Sequence, residues 1–336
     1  MPAHVKQSKL IKDALPNEVI ELKSVFLTET LLSLPPMADT ITYHNCPVCN
    51  SEKIHKVLQA KDYTVSHESF EIWQCDNCTL RFTQNVPAEN VIGKYYQSTA
   101  YVSHSDTKKG LINRLYHLVR SYTLQSKLKL VQKVSGKNKG TLLDIGAGTG
   151  AFVNTMQTAG WDVSGLEPDE TARKNAAANY NINLQQLDAL FTLPENKFDV
   201  ITMWHVLEHV HQLQQYLSRF QQLLREDGVV IIAVPNYTSY DATIYNEYWA
   251  AYDVPRHLYH FSPLSMQRLF EQHGFVVIEH QPMWFDSFYV SMLSEQYKTG
   301  KSNLTKAIAN GLASNRKAFG DATKCSSVIY IIRRKK

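Results

Sequence analysis

From residue 140 onward, short unbroken apolar runs alternate with stretches of helical spacing. A run over 141–145 closes on Gly146-Ala147-Gly148-Thr149-Gly150, and the helical spacing of 151–159 is stopped by Gly160. A second run, 161–167, ends in Glu167-Pro168-Asp169; helical material covers 170–180, and a third run ends near Leu187-Asp188-Ala189. A fourth, 198–203, leads into Trp204-His205-Val206-Leu207-Glu208-His209. The next helix puts Leu213, Tyr216, Leu217, Phe220, Leu223 and Leu224 on one face, stops at Gly228 and gives way to a fifth run, 229–234. Continuous apolar strands joined by helices predict an α/β fold with a parallel sheet, because each crossover lays a helix on the sheet and buries both faces. Upstream, Leu111, Ile112, Leu115, Leu118, Val119 and Tyr122, then Leu124, Leu128 and Val131, predict one long or two short amphipathic helices within 93–134. Still earlier, Lys56-Val57-Leu58 and the alternating Phe70–Gln74 read as strands.

Composition changes this picture little. The 336 residues are 44% apolar, 11% aromatic and 20% charged, enough for about two domains with ordinary cores and too apolar for a disordered chain. No apolar run is long enough to span a bilayer, and the N-terminus lacks an apolar region followed by a small-residue cleavage site. A cytoplasmic protein without a membrane partner is expected. The net charge of +4 is unevenly placed: residues 107–140 hold nine Lys/Arg and no acid, and residues 296–336 hold ten against Asp321 alone. Such tracts suit solvated helix faces and a basic tail, and also an anionic partner.

Four of the five cysteines form two C-x2-C pairs, Cys46/Cys49 and Cys75/Cys78, separated by 25 residues. A turn within each pair brings two thiolates to one side of an ion, and two such turns complete a tetrahedral sulfur shell, the logic of a zinc ribbon. Four protein ligands leave no open position, so the zinc is expected to be structural and to supply folding energy to a segment too short for its own core. Cys325 reads as a small buried hydrophobe.

In an open parallel sheet the ligand sits at the carboxyl ends of the strands. Three acids stand there. Glu167 can accept both hydroxyls of a ribose, Asp188 can accept from an adenine amino group, and Asp144 interrupts an otherwise apolar strand two residues before the glycine turn. Gly146-x-Gly148-x-x-Ala151 also satisfies a dinucleotide fingerprint. Asp144 decides between the two: an acid beside the turn repels a pyrophosphate and suits a ligand bearing a positive amine and sulfonium.

At these residues the chain resembles the class I S-adenosylmethionine-dependent methyltransferases, whose D-x-G-x-G-x-G motif appears as Asp144-Ile145-Gly146-Ala147-Gly148-Thr149-Gly150 and whose F-D-x-I motif appears as Phe198-Asp199-Val200-Ile201. The resemblance implies a Rossmann-like, mostly parallel seven-stranded sheet with helices on both faces. It would end in an antiparallel pair supplied by 275–280 and 328–333. It also implies cofactor roles for Asp144, Gly146, Gly148, Gly150, Glu167 and Asp188. The implied organisation is an N-terminal extension (1–40), a small zinc ribbon (41–88), a helical connector (89–139) and a methyltransferase domain (140–336) with insertions at 235–262 and 282–324.

Methyl transfer needs a nucleophile aligned with the methyl and a group to take the acceptor's proton, for which histidine titrates in the right range. His205-Val206-Leu207-Glu208-His209 spells H-x-x-E-H, yet it caps a strand where a zinc protease needs a metal-facing helix. It is closer to the E-V-x-E-H of ubiquinone-biosynthesis O-methyltransferases, which can hold a divalent ion; His205 replaces the first acid, so the resemblance does not carry a second metal. The segment 235–262 holds eight aromatic residues in 28 and predicts a cap over an acceptor pocket. Its end, Arg256-His257-Leu258-Tyr259-His260-Phe261-Ser262, is similar to the E-H-x-x-Y-F-S of deoxysugar C-methyltransferases, with Arg256 and His260 departing from it. The expectation is His257 as general base, assisted by His205 or His260, acting on oxygen or carbon of a small molecule such as a sugar or glycan-linked group. Two alternatives stand beside it: an rRNA or tRNA methyltransferase gripping RNA through the ribbon and basic tracts, and a non-catalytic cofactor-binding scaffold.

Overall fold

The computed structural model describes residues 39–97, 111–301 and 303–336. The expected 1–40 extension lies almost wholly outside them, as does part of the connector. Strands β1 (Thr40–Ile41), β2 (Ile54–Lys61), β3 (Ser69–Cys75), β4 (Arg81–Thr83) and β5 (Val86–Pro87) form the first region, with β2–β3–β4 an antiparallel meander and β1 paired to β5. The alternation in β3 places Phe70 and Ile72 inward, as a half-buried strand requires, and Cys75, off that period, is buried at the strand's end.

Helix α1 (Leu111–Ser135) leads to β6 (Thr141–Ile145), α2 (Ala151–Thr158), β7 (Asp162–Leu166), α3 (Glu170–Tyr180), β8 (Phe198–Trp204), α4 (Leu213–Leu223) and β9 (Leu224–Pro235). Then come α5 (Tyr240–Tyr245), β10 (Tyr259–His260), α6 (Pro263–Gln272), β11 (Phe275–Pro282), α7 (Asp286–Thr299), α8 (Leu304–Ala318) and β12 (Ser327–Arg334). The main sheet runs β11-β12-β9-β8-β6-β7, parallel from β7 to β9 and antiparallel at β12 and β11. The expected antiparallel pair is therefore present. The sheet has six strands among the described residues, not seven: the third expected strand is reduced to one parallel bridge, Leu166 to Gln185, because the segment there keeps only Ile182 and Leu184 buried between exposed Asn181, Asn183 and Gln185.

Every residue of β8 except Trp204 is buried, which is why its sequence is continuous rather than alternating. The α4 face predicted from spacing is the buried one, Leu213, Tyr216, Leu217, Phe220 and Leu223, each side chain contributing about 1.5–3 kcal/mol by leaving water. Asp199, at the opposite end of β8 from the glycine turn, accepts from the Thr141 N–H at 2.8 Å and pairs with Lys137 and Arg225, so it ties the starts of β6 and β8 together.

The first region is not a free-standing ribbon. β10, from the 235–262 segment, pairs antiparallel with β4 and completes a four-stranded sheet β10-β4-β3-β2. Residues Asp39–Lys336 form one compact unit. The 282–324 segment is a helical pair, α7 against α8, in which Phe288 lies so close to Gly311 that a Cβ there would come within 2.8 Å of it. Buried Asp241 of α5 accepts from Trp249 Nε1 (2.8 Å), Ser314 Oγ (2.6 Å) and Ser326 Oγ (2.8 Å), joining both insertions to the sheet. Among the described residues no helix is long and apolar enough to cross a membrane.

Candidate active site

The turn after β6 is held left-handed at three glycines, Gly146 (φ 75°), Gly148 (φ 55°) and Gly150 (φ 79°), a conformation that side chains with a Cβ adopt at a cost. They differ in what a Cβ would meet. At Gly146 it would lie 2.3 Å from Val206 Cγ2, and at Gly150 2.9 Å from Ala176 Cβ; at Gly148 it would enter open space. Gly148 therefore leaves an open face on the turn. Glu167, buried at the end of β7, accepts from the Gly148 N–H at 2.7 Å and the Asp169 N–H at 3.0 Å. Its burial raises its pKa. Asp188 is exposed, on a short turn after the reduced third strand.

Asp144 is buried and accepts from Thr202 Oγ1 at 2.6 Å. Burial pushes its pKa up to about 7, offset in part by Thr202 and by the Lys127 ammonium, and reinforced by Glu167. Lys127 comes from α1 and lies over the Trp204 ring, 4.2 Å from its centroid. Burial brings its pKa down to about 8, against the pull of Asp144 and Asp286. The sequence held a signal for Lys127, which sits on the apolar stripe between Leu124 and Val131. A buried acid beside an open, left-handed cradle fits a cationic ligand carrying hydroxyls, as the methyl donor does.

The expected catalytic histidines separate. His205, at the end of β8 with φ 58°, places Nε2 2.9 Å from Asp286 Oδ2 and Nδ1 3.4 Å from Glu208 Oε1. Burial opposes its charge, but the two carboxylates prevail and raise its pKa to about 10. It is therefore an imidazolium over the neutral range. His257, His209 and Glu208 are brought together, with ligand atoms within 4.8 Å of one another, a group that can hold a metal ion. The His209 and His257 rings meet edge to face at 4.6 Å. His257 Nδ1 donates to the Ala251 carbonyl (2.9 Å) and His209 Nδ1 to that of Arg256 (3.0 Å), so both leave Nε2 as the free nitrogen. Burial, then the neighbouring His257, lowers the His209 pKa to about 4. His260 lies outside this cluster, on β10 between Thr83 Oγ1 (3.2 Å from Nε2) and the Tyr252 ring, and burial drives its pKa well down.

Two residues that position the cluster escaped sequence reasoning. Arg256 is 1% exposed and forks onto Asp253 (2.6 and 3.0 Å), Asp62 Oδ1 (3.0 Å), Thr64 Oγ1 (2.6 Å) and the Tyr95 carbonyl (2.8 Å). It pins the turn before His257 onto the end of β2, and the Val254–Pro255 bond in that turn is cis. The other is Asp286, at the start of α7, far from His205 in the chain.

The four cysteines converge as their spacing predicts. Cys46 and Cys78 Sγ lie 3.5 Å apart, as do Cys49 and Cys75. The two turns match: Asn50 N–H bonds Cys46 O (2.9 Å) and Thr79 N–H bonds Cys75 O (3.0 Å), with Asn50 and Thr79 both left-handed. The Cys78 thiol draws the Cys46 pKa down to about 6 against burial. The four sulfurs can hold a metal ion.

Residues 117–280 match the family model described as a methyltransferase domain. Curated relatives include ubiquinone biosynthesis O-methyltransferases: that of Rhodopseudomonas palustris (strain TIE-1) is 25% identical over 39% of this chain and 55% of its own length. That of Actinobacillus pleuropneumoniae is 34% identical over 32% and 50%. The chain thus spans about half the length of these relatives. Among solved structures, magnesium protoporphyrin IX methyltransferase from Synechocystis PCC 6803, with bound SAH, aligns at TM-score 0.49 and 14% identity over 74% of this chain and 100% of that one. Phosphoethanolamine N-methyltransferase 2 of Haemonchus contortus aligns at 0.44 and 17%, over 63% and 53%. The family model and the curated relatives thus show that this part of the chain is similar to methyltransferase domains; it is preceded by a cysteine cluster that can hold a metal.

Proposed function

We propose that this chain moves a methyl group from S-adenosylmethionine to an oxygen or carbon of a small molecule, with a sugar or glycan-linked group as the acceptor class. The observation that carries the reading is buried Asp144 beside the open face of Gly148. In this reading Glu167 turns its carboxylate from the Gly148 N–H to the ribose hydroxyls, Asp188 accepts from the adenine amino group, and Asp144 balances the donor's positive charge. The bound donor supplies a methyl already activated by sulfonium. His257 is the general base: its Nδ1–H is committed to Ala251, so Nε2 takes the acceptor's proton. His205, held as a cation, assists by its charge rather than by accepting a proton; His260 is the other residue proposed to assist. Cys46, Cys49, Cys75 and Cys78 bind a structural zinc. The segments 41–88, 89–139 and 140–336 serve as zinc-binding unit, connector and methyltransferase domain of a cytoplasmic enzyme without a membrane partner.

Incubation with methyl-labelled S-adenosylmethionine and fractionated cell extract tests this. Label in small metabolites is expected, with transfer lost in His257→Ala while S-adenosylhomocysteine still binds. Label in RNA, with steep salt dependence, would establish the nucleic-acid alternative instead. Cofactor binding with no transfer to any fraction would establish a scaffold.

A further inference from the structure

We propose that Asp144 and Lys127 are the two walls of a slot for a zwitterion, the amino-acid end of the donor: Asp144 takes its ammonium, and Lys127 with the Trp204 indole N–H takes its carboxylate. The inference rests on the reading of the crevice as the donor site and deepens it. It starts from strand register. β6 and β8 are parallel neighbours with Asp144 opposite Thr202, and the Thr202 hydroxyl donates to Asp144 at 2.6 Å. Side chains two residues apart on a strand share a face, so Trp204 stands on the face of Thr202 and Asp144, one step nearer the carboxyl end. Helix α1 packs Leu130 and Val131 on that face. From the same helix Lys127 lays its ammonium 4.2 Å from the centroid of the Trp204 ring and 5.9 Å from that of Phe152.

Acid and ammonium feel each other across the strand ends but do not close: among the described residues Lys127 has no ion-pair contact within 4.0 Å, either with Asp144 or with Asp286. The Trp204 Nε1–H is buried and has no hydrogen-bond partner among the described residues. An unpaired buried donor is costly, and so is an open charge pair away from water. A ligand that carries one ammonium and one carboxylate side by side completes both. The sheet order places this slot correctly for the donor. In β9-β8-β6-β7, Glu167 at the end of β7 lies on one side of the glycine turn and Trp204 at the end of β8 on the other. A ribose on Glu167 therefore directs the amino-acid end toward β8. The neighbouring charges are committed elsewhere: Asp286 pairs with His205 at 2.9 Å, and Arg120 of α1 donates to Thr149 Oγ1 at 3.5 Å. The slot also sets selectivity. A ligand with the amine alone leaves Lys127 facing a second cation, whereas one with neither group leaves Asp144 and Lys127 to each other.

Calorimetric titration of the full chain with three ligands tests the slot: S-adenosylhomocysteine, its decarboxylated analogue, which keeps the amine, and 5′-methylthioadenosine, which lacks both groups. The unaltered chain should bind S-adenosylhomocysteine at least about tenfold more tightly than the decarboxylated analogue. In Lys127→Met, S-adenosylhomocysteine should weaken by about tenfold or more while the analogue holds or tightens, so the preference disappears. In Asp144→Asn both amines should weaken. Trp204→Phe keeps the ring and removes the N–H; it should weaken S-adenosylhomocysteine a few-fold and spare the analogue, and an unmoved affinity would overturn the indole's part. 5′-Methylthioadenosine should bind every form within about twofold, which reports an intact nucleoside half. Equal binding of S-adenosylhomocysteine and the analogue by the unaltered chain would overturn the proposal without any variant, so it stays decidable where Lys127→Met does not fold. Weakening of both alike in Lys127→Met, or of neither, would overturn it too. So would tighter S-adenosylhomocysteine in that variant, which would make Lys127 the ligand's rival for Asp144, or a preference lost in Arg120→Gln but kept in Lys127→Met. An unaltered chain that binds none of the three refutes the donor reading itself, whereas equal binding of S-adenosylhomocysteine and 5′-methylthioadenosine keeps that reading and refutes the slot.

Discussion

Gly146 and Gly148 share a left-handed backbone, yet alanine at the two positions should act on different properties. At Gly148 the added Cβ meets nothing within 4 Å in the ligand-free chain. The substitution should cost only the left-handed penalty, about 1–2 kcal/mol. At roughly 2 °C per kcal/mol for a chain this large, the midpoint of thermal unfolding should drop by about 2–4 °C. The same methyl stands in the cradle, so S-adenosylhomocysteine should bind at least about tenfold more weakly, a loss of about 1.4 kcal/mol. At Gly146 the methyl would sit 2.3 Å from Val206 Cγ2, which adds an overpacking term of about 1–3 kcal/mol. Gly146→Ala should therefore melt roughly 4–10 °C lower. Thermal melts paired with calorimetric titration of S-adenosylhomocysteine separate the two effects. If Gly148→Ala bound the ligand as tightly as the unaltered chain, the open face of that glycine would not be the binding cradle and the placement of the donor would be wrong.

Three further outcomes are expected. Asp144 titrates near 7 in the ligand-free protein, and its ionised form is the one that faces a cation, so affinity for S-adenosylmethionine should rise as pH increases through about 7 and flatten in Asp144→Asn; calorimetry at a series of pH values checks this. Cys75→Ser, or chelation, should remove about one zinc per chain by elemental analysis and lower the unfolding midpoint; an unchanged melt after metal loss would rule out a structural ion. Arg256→Ala strips the buried Asp62 of its cation and should cost about 3–5 kcal/mol in denaturant unfolding, with Arg256→Lys recovering only part because a point charge cannot fork onto two acids.

The sheet and the glycine turn of this molecule were legible because their signals are local. A glycine turn, an acid two residues before it and an acid at the next strand end follow from short stretches whose chemistry does not depend on partners elsewhere. The cysteine turns are local too, and the fold brings them together so that Cys46 meets Cys78 and Cys49 meets Cys75 at 3.5 Å. The reduced third strand was misread because apolar residues at alternate positions look alike whether or not a neighbour accepts their ladder; here only Gln185 finds one. What could not be read were long-range ion pairs. Arg256 looked like a departure from a motif, and its partner Asp62 lies 194 residues earlier, just after β2. Asp286 is one acid at a helix start, a common place for one, and only the folding of α7 against the strand ends gives it His205.

The shared edge of β4 and β10 constrains how this polypeptide can be rearranged. The Leu258 carbonyl accepts from the Thr83 N–H at 2.9 Å, while the Leu258 N–H reaches the Glu208 carbonyl at 2.8 Å, so one residue stitches the cysteine-bearing meander to the turn that bears Glu208. Cutting the chain after residue 88 would expose a raw edge at β10, two residues from His257. Grafting a different module in place of β2–β4 would demand a replacement strand of the same register, and any reagent that unravels the cysteine cluster should be felt at His257 before it is felt at the glycine turn.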